Sequence, residues 1–221
     1  MAYWTTHLRV AETALRYLPG LSALHYYAGA LGPDCGHTEQ NPDGSSRYLP
    51  GRIVSHWMRK NEERDTYEFA FEDFFHTWMP RAEDEEQRAF YWGYYIHLIT
   101  DAMWKERVLR PRRESLAEPT PEAMQEIKED IYRADLRFLQ DHPDYVPLKV
   151  IEGIGSFPNR YLDYYNDTDL EEQLHAIPAR LRAEAAGTVQ ESLWLSDEEL
   201  DEFVMFATAK CIQMVKSHLS E

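Results

Sequence analysis

Apolar positions recur every three or four residues along most of this chain, and the elements that this spacing predicts are helices. Leu8, Ala11, Leu15 and Leu18 share one face of a first helix, which Thr5 or Thr6 can cap and Pro19-Gly20 ends. A second apolar run, Leu21 to Leu31, stops at Gly32-Pro33. From there to Pro50 the chain is dense in Gly, Pro, Asn, Asp and Ser and reads as one long loop, a length that usually carries function or stays unstructured. Arg52 to Lys60 and Thr66 to Met79 read as helices, the second presenting Tyr67, Phe71, Phe74, Phe75 and Trp78. The helix from Asp84 to Val108 is the longest and most aromatic, which places it centrally, and its acidic start suits the positive end of the helix dipole.

Further on, Thr120 followed by Pro121 and Glu122 opens an amphipathic helix that runs to Gln140. Another spans Leu170 to Val189, interrupted or tilted at Pro178. Ser196 with Glu199 makes a capping box for a last helix that runs towards His218. No alternating strand pattern bounded by hairpin turns stands out. The expected fold is therefore all-α, a single multi-helix domain over residues 1–221.

Composition narrows the function classes. With 221 residues, 43% of them hydrophobic and 13% aromatic, the chain can bury a substantial core. A formal charge of −16 argues against duplex nucleic acid as a partner, since phosphate backbones are bound by basic surfaces. Lys105, Arg107, Arg110, Arg112 and Arg113 are a local exception, read either as a solvated helix end or as phosphate contacts. Cys35 and Cys211 stand far apart without a CxxC spacing, so neither a disulfide framework nor a cysteine zinc knuckle is indicated. The first twenty residues lack a basic region followed by an unbroken apolar core, and no later stretch has the length of a membrane span. A cytoplasmic protein without a transmembrane segment is expected.

The candidate chemistry starts at His97 and Asp101, four residues apart in AFYWGYYIHLITDAMW. That is one helical turn, so an imidazole and a carboxylate project from the same face of an apolar helix and can hold one divalent cation together. The same pair also reads as a hydrogen-bonded core histidine and its partner. His7 falls on the stripe of Ala11, Ala14 and Leu18 and faces inward. Asp34 follows Gly32-Pro33, where a stiff turn aims a short carboxylate, and His56 opens the helix after the loop. Each of these alone fits an ordinary structural role.

Taken in order, His7 in TTHLRVAETAL, Asp34 in GALGPDCG, His56 in VSHWM, and His97 with Asp101 in YWGYYIHLITDAMW resemble the zinc-dependent phospholipase C family, whose fold is shared by the fungal single-strand nucleases. Small bacterial members are the nearest in pattern. The resemblance covers roughly the first half of the chain, and HLITD is its most specific part, followed by the GPD turn. It implies that Asp34, His56, His97 and Asp101 surround one zinc ion. His7 would join Asp101, as a bridging carboxylate, at a second ion, where the family also uses the terminal amine of a tryptophan. The chain departs from the pattern in two places. Trp4 is not residue 1, and the HxxxE or HxxxD arrangement of a third site is missing, because His142, His175 and His218 lack a carboxylate four residues later. Asp130 and Asp135 are either substitutes for those ligands or surface carboxylates, and His25, His37 and His76 are spare imidazoles.

The activity implied is that of a phospholipase C-like, metal-dependent hydrolase of phosphoesters, with one or two zinc ions or another divalent metal. Zinc with an open coordination position lowers the pKa of bound water to about 7. Asp34 is the candidate catalytic base, with Arg107 or Arg110 steadying the phosphate. Tyr3, Trp4, Trp57, Tyr94 and Tyr95 either wall a cleft for the substrate or belong to the core. The expected partner is a small phosphoester or a phospholipid head group. The alternative is a non-catalytic, metal-stabilised helical binding protein, in which Asp34, His56, His97 and Asp101 close the site with no position left for water.

Overall fold

The chain folds around its most aromatic helix. In the computed structural model, which describes residues 1–63 and 65–220, 63% of the chain is helical and 7% is strand. Helix α5 (Glu85–Trp104) starts where the Asp84 carboxylate accepts the amides of Glu86 and Gln87, two donors that the first turn would otherwise leave free. Phe90, Tyr94, Tyr95, Ile96, Leu98 and Ile99 along it are fully buried. It is apolar nearly all round, as befits a helix packed on every side.

Helix α2 (Ala23–Leu31) lies against α5 at backbone contact. A Cβ on Gly93 would stand 1.9 Å from the carbonyl oxygen of Tyr26, and one on Gly29 would stand 2.0 Å from that of Phe90. Only glycine at both positions lets the two backbones close. Helix α1 (Trp4–Leu15) packs on both, and α10 (Asp197–Leu219) packs against α1 and α5. Helices α7 (Pro121–Asp141), α8 (Val146–Glu152) and α9 (Asp169–Ala185) complete that side, with α4 (Phe71–Trp78) against α5.

Caps that sit next to their helix in sequence form as expected. Thr120 accepts from the Ala123 amide, and Ser196 and Glu199 make the reciprocal box. The start of α1 differs. Thr5 and Thr6 lie inside the first turn, and the cap comes from Asp135 of α7, which accepts their amides at 3.0 and 3.2 Å together with the Thr6 hydroxyl. Asp135 is thus buried structure, neither a surface carboxylate nor a metal ligand. Asp130 is likewise buried and accepts from Ser192 Oγ at 2.6 Å and from the amides of Leu193 and Trp194. Asp135→Ala should lower stability by about 1–3 kcal/mol, because buried donors lose their acceptor, and thermal denaturation reads that loss directly.

Two hairpins occupy stretches read from the sequence as loop and helix. Strands β1 (His37–Gln40) and β2 (Ser46–Leu49) pair antiparallel inside the 32–50 loop, and β3 (Met58–Asn61) pairs with β4 (Thr66–Phe69). Most of their residues are exposed on both faces, so no alternation was there to read. The helix expected over Arg52 to Lys60 is reduced to α3 (Arg52–Ser55), because Trp57 turns the chain at φ +48°. That left-handed conformation in a bulky residue costs roughly 1–3 kcal/mol and lies directly after His56. The helix expected from Thr66 begins only at Phe71. Beyond Trp104 the chain continues as a π-helical turn, Lys105–Leu109, and then as α6 (Arg110–Ser115). Pro111 has no amide to give to the preceding turn, and the wider turn makes room for its ring. No helix among the described residues is long and apolar enough to cross a membrane.

Candidate metal centre

Four elements bring His7, Asp34, His56, His97 and Asp101 to one place. The close approach of α2 to α5 sets the Ala30 carbonyl 2.8 Å from His97 Nδ1. A carbonyl only accepts, so Nδ1 carries the hydrogen and Nε2 presents its lone pair to the centre. Asp101 lies one turn further along α5. His7 enters from α1, its ring stacked on that of His97 at 3.6 Å between centroids and 5° between planes. His56 follows α3, with Nδ1 2.9 Å from Ser55 Oγ, which again leaves Nε2 facing inward. Asp34 ends a short 3-10 turn (Gly32–Asp34) that is pinned by two hydroxyls: Tyr48 donates to the Asp34 carbonyl and Tyr165 to that of Gly32, both at 2.7 Å.

These side chains meet without satisfying one another. His7 Nε2 lies 3.4 Å from Asp101 Oδ1, and His56 Nε2 lies 3.4 Å from Asp34 Oδ1 and 3.6 Å from Asp101 Oδ2. His97 Nε2 is 3.8 Å from Asp101 Oδ2. The Nε2 atoms of all three histidines and Asp101 Oδ2 are buried with no hydrogen-bond partner. Leaving so many buried polar atoms unpaired is costly, and native proteins avoid it. A divalent cation would give such atoms a partner. Donors at about 2.0–2.1 Å from a tetrahedral zinc ion stand about 3.3–3.4 Å apart, close to the His–Asp separations of 3.4–3.8 Å. The ligand atoms of His7, Asp34 and His97, and those of His56, His97 and Asp101, lie within 4.8 Å of one another.

The two oxygens of Asp101 face different neighbours. Oδ1 accepts the Ala2 amide at 2.7 Å and is turned to His7, whereas Oδ2 is turned to His56 and His97. The two oxygens thus have separate surroundings, His7 on one side and His56 and His97 on the other. Protonation states suit ligation as well. Burial drives His97 down to about 3, so it is neutral at physiological pH. Burial pushes the Asp34 carboxyl up, but His56, His97 and His7 outweigh it and hold the group below its usual value. The same contest leaves Asp101 well below the carboxylate range, with the terminal ammonium, His7 and His97 opposing burial.

The centre is reached from one side. His7, His97 and Asp101 are at most 1% exposed, while Asp34 and His56 also line a cleft of about 580 Å³. Tyr3, Trp4 and Tyr132 line the same cleft, together with Arg52, Lys128 and Arg180. Of the five aromatic residues considered as a wall, only Tyr3 and Trp4 serve there; Tyr94 and Tyr95 are core, and Trp57 packs edge-on against Phe74. Arg107 lies over the Phe206 ring and Arg110 pairs with Glu106, so neither lines this cleft. The spare imidazoles are also engaged elsewhere: His25 with Ser22, His37 with Asp169 and His76 beside Glu72.

Arg52 and Lys128 were not singled out from the sequence. Nothing local marks them, since each comes to the cleft only through tertiary packing. The orienting groups Ala30 and Ser55 were equally hidden, one being a main-chain carbonyl. Comparison of the chain with family models, with curated proteins and with solved structures finds no match.

Proposed function

We propose that the protein is a metal-dependent hydrolase of phosphoesters, phospholipase C-like in its centre, holding one or two divalent cations, zinc first among them, on His7, Asp34, His56, His97 and Asp101. The observation that carries this reading is the convergence of buried, unpartnered imidazole nitrogens and a carboxylate oxygen beside an open cleft. A bound divalent cation would supply Lewis acidity and lower the pKa of a water ligand. Around it the chain's own groups divide the work. His97 and His56 are held by Ala30 and Ser55 with their free nitrogens aimed inward. Asp34 lines the cleft, its carboxyl held below the usual value, and would accept a proton from an incoming water. Arg52 presents positive charge to an anionic phosphoryl group, with Tyr3 and Trp4 bounding the space beside it.

Hydrolysis of a chromogenic phosphodiester tests the proposal. Turnover that chelator abolishes and added zinc restores is expected, and protein that binds metal tightly with no turnover on diesters or monoesters would favour the non-catalytic binding protein. Arg52→Ala should raise KM about tenfold with metal content unchanged, as expected for loss of one charge-assisted contact. An unchanged KM would remove Arg52 from the binding of substrate.

A further inference from the structure

A second and larger depression, of about 760 Å³, lies beside the metal cleft. Its floor is apolar and built from several elements: Phe69 of β4, Phe71 of α4, Met103 of α5, Leu109 of the π-helical turn and Met124 of α7. Phe71, Met103, Leu109 and Met124 are half-buried and rest on the core. Methionine is flexible and polarisable and adapts to apolar ligands. Pockets of this size with an apolar lining and a few fixed charges are typical of small-molecule sites. The π-helical turn in its wall is a distortion that proteins place most often at functional sites.

The rim is basic although the chain is acidic. Lys105, Arg110, Arg113 and Lys128 line it against only Glu68 and Glu106. Lys105 is spent on the Tyr67 carbonyl and Arg110 on Glu106. Arg113 and Lys128 differ. Among the described residues neither has an ion pair, a side-chain hydrogen bond or a ring contact. With 39 acidic residues available to 23 basic ones, most described cations find a partner, and Arg16 and Arg52 are the others that have none. Two unpaired cations that line one apolar groove are complementary to an anion attached to a hydrocarbon.

We propose that this groove binds a single-chain amphiphile with an anionic head group, its hydrocarbon lying along Phe71, Met103, Leu109 and Met124 and its head between Arg113 and Lys128. Binding here uses none of the metal ligands and does not depend on the hydrolase reading, although Lys128 borders both depressions. Arg113 lines no part of the metal cleft, which lets the two sites be told apart.

The test is calorimetric titration of the whole protein with dodecyl phosphate below its micelle concentration. Saturable binding is expected, with inorganic phosphate, dodecyl maltoside and dodecyltrimethylammonium each at least tenfold weaker. The double variant Arg113→Ala, Lys128→Ala should lose at least tenfold for dodecyl phosphate and nothing for the maltoside, and Arg113→Ala alone should lose part of it. Met124→Glu should weaken every alkyl ligand; should it fail to fold, the charge variants decide alone. Equal affinity for the neutral, cationic and anionic chains overturns the proposal, as does inorganic phosphate binding as tightly as its alkyl ester. Unchanged affinity in the double variant, or binding to anionic vesicles only and never to monomers, overturns it too.

Discussion

Asp101→Asn is expected to strip the protein of its metal and, with it, of any response of its stability to chelator. The substitution keeps the shape and the acceptor for the Ala2 amide but removes the charge that faces His7 on one side and His56 and His97 on the other. In the parent protein, free metal at 100 times its Kd adds about 2.7 kcal/mol. For a chain of this size each kcal/mol is roughly 2–4 °C, so chelator should lower the unfolding temperature by about 5–11 °C. In the variant the shift should fall to nearly zero. Equal chelator shifts in both proteins, followed by scanning calorimetry, would remove Asp101 from the centre.

Gly93→Ala should be the most damaging of the small substitutions away from the ligands. Alanine gains about 1 kcal/mol over glycine in helix propensity. Against that, the new methyl would meet the Tyr26 carbonyl oxygen at 1.9 Å and the Ala30 nitrogen at 2.7 Å, all of it backbone that can yield only by moving α2. Overpacking of this kind costs about 1–3 kcal/mol or more. The same movement draws the Ala30 carbonyl away from His97 Nδ1, and loss of such an orienting bond typically weakens metal affinity about 10–100-fold. Gly153→Ala is the control. Its methyl would find nothing nearer than 3.6 Å, so denaturant unfolding should show little change. A Gly93→Ala protein with parental stability and metal affinity would contradict the account of how α2 and α5 set the site.

Much of the helical frame was legible because its signals are local. The Ser196–Glu199 box, the Thr120 cap and the long aromatic run ending in HLITD all act within a turn or two of chain. What escaped was set by distant partners or by exposure. The start of α1 is fixed by Asp135, about 130 residues away, and the hairpins lie exposed without an alternating face. The single helix expected from Asp84 to Val108 gives way to a π-helical turn because of a proline just beyond it. Within the centre only His97 and Asp101 are related by helical spacing. That His7, Asp34 and His56 join them depends on how α1, the 32–34 turn and α3 pack, which no local pattern encodes. The cleft cations Arg52 and Lys128 were missed for the same reason, while Arg107 and Arg110, conspicuous in sequence, are engaged elsewhere.

The most direct measurement is the metal content per chain, by elemental mass spectrometry, of protein purified without a histidine tag or chelator, alongside Asp101→Asn. The account predicts one to two equivalents of a divalent metal, zinc first, in the parent and a sharp fall in the variant. A parent chain without stoichiometric metal, even after reconstitution with zinc, manganese, iron or cobalt, would contradict it and leave His7, His56, His97 and Asp101 as an unexplained group of buried, unpaired polar atoms.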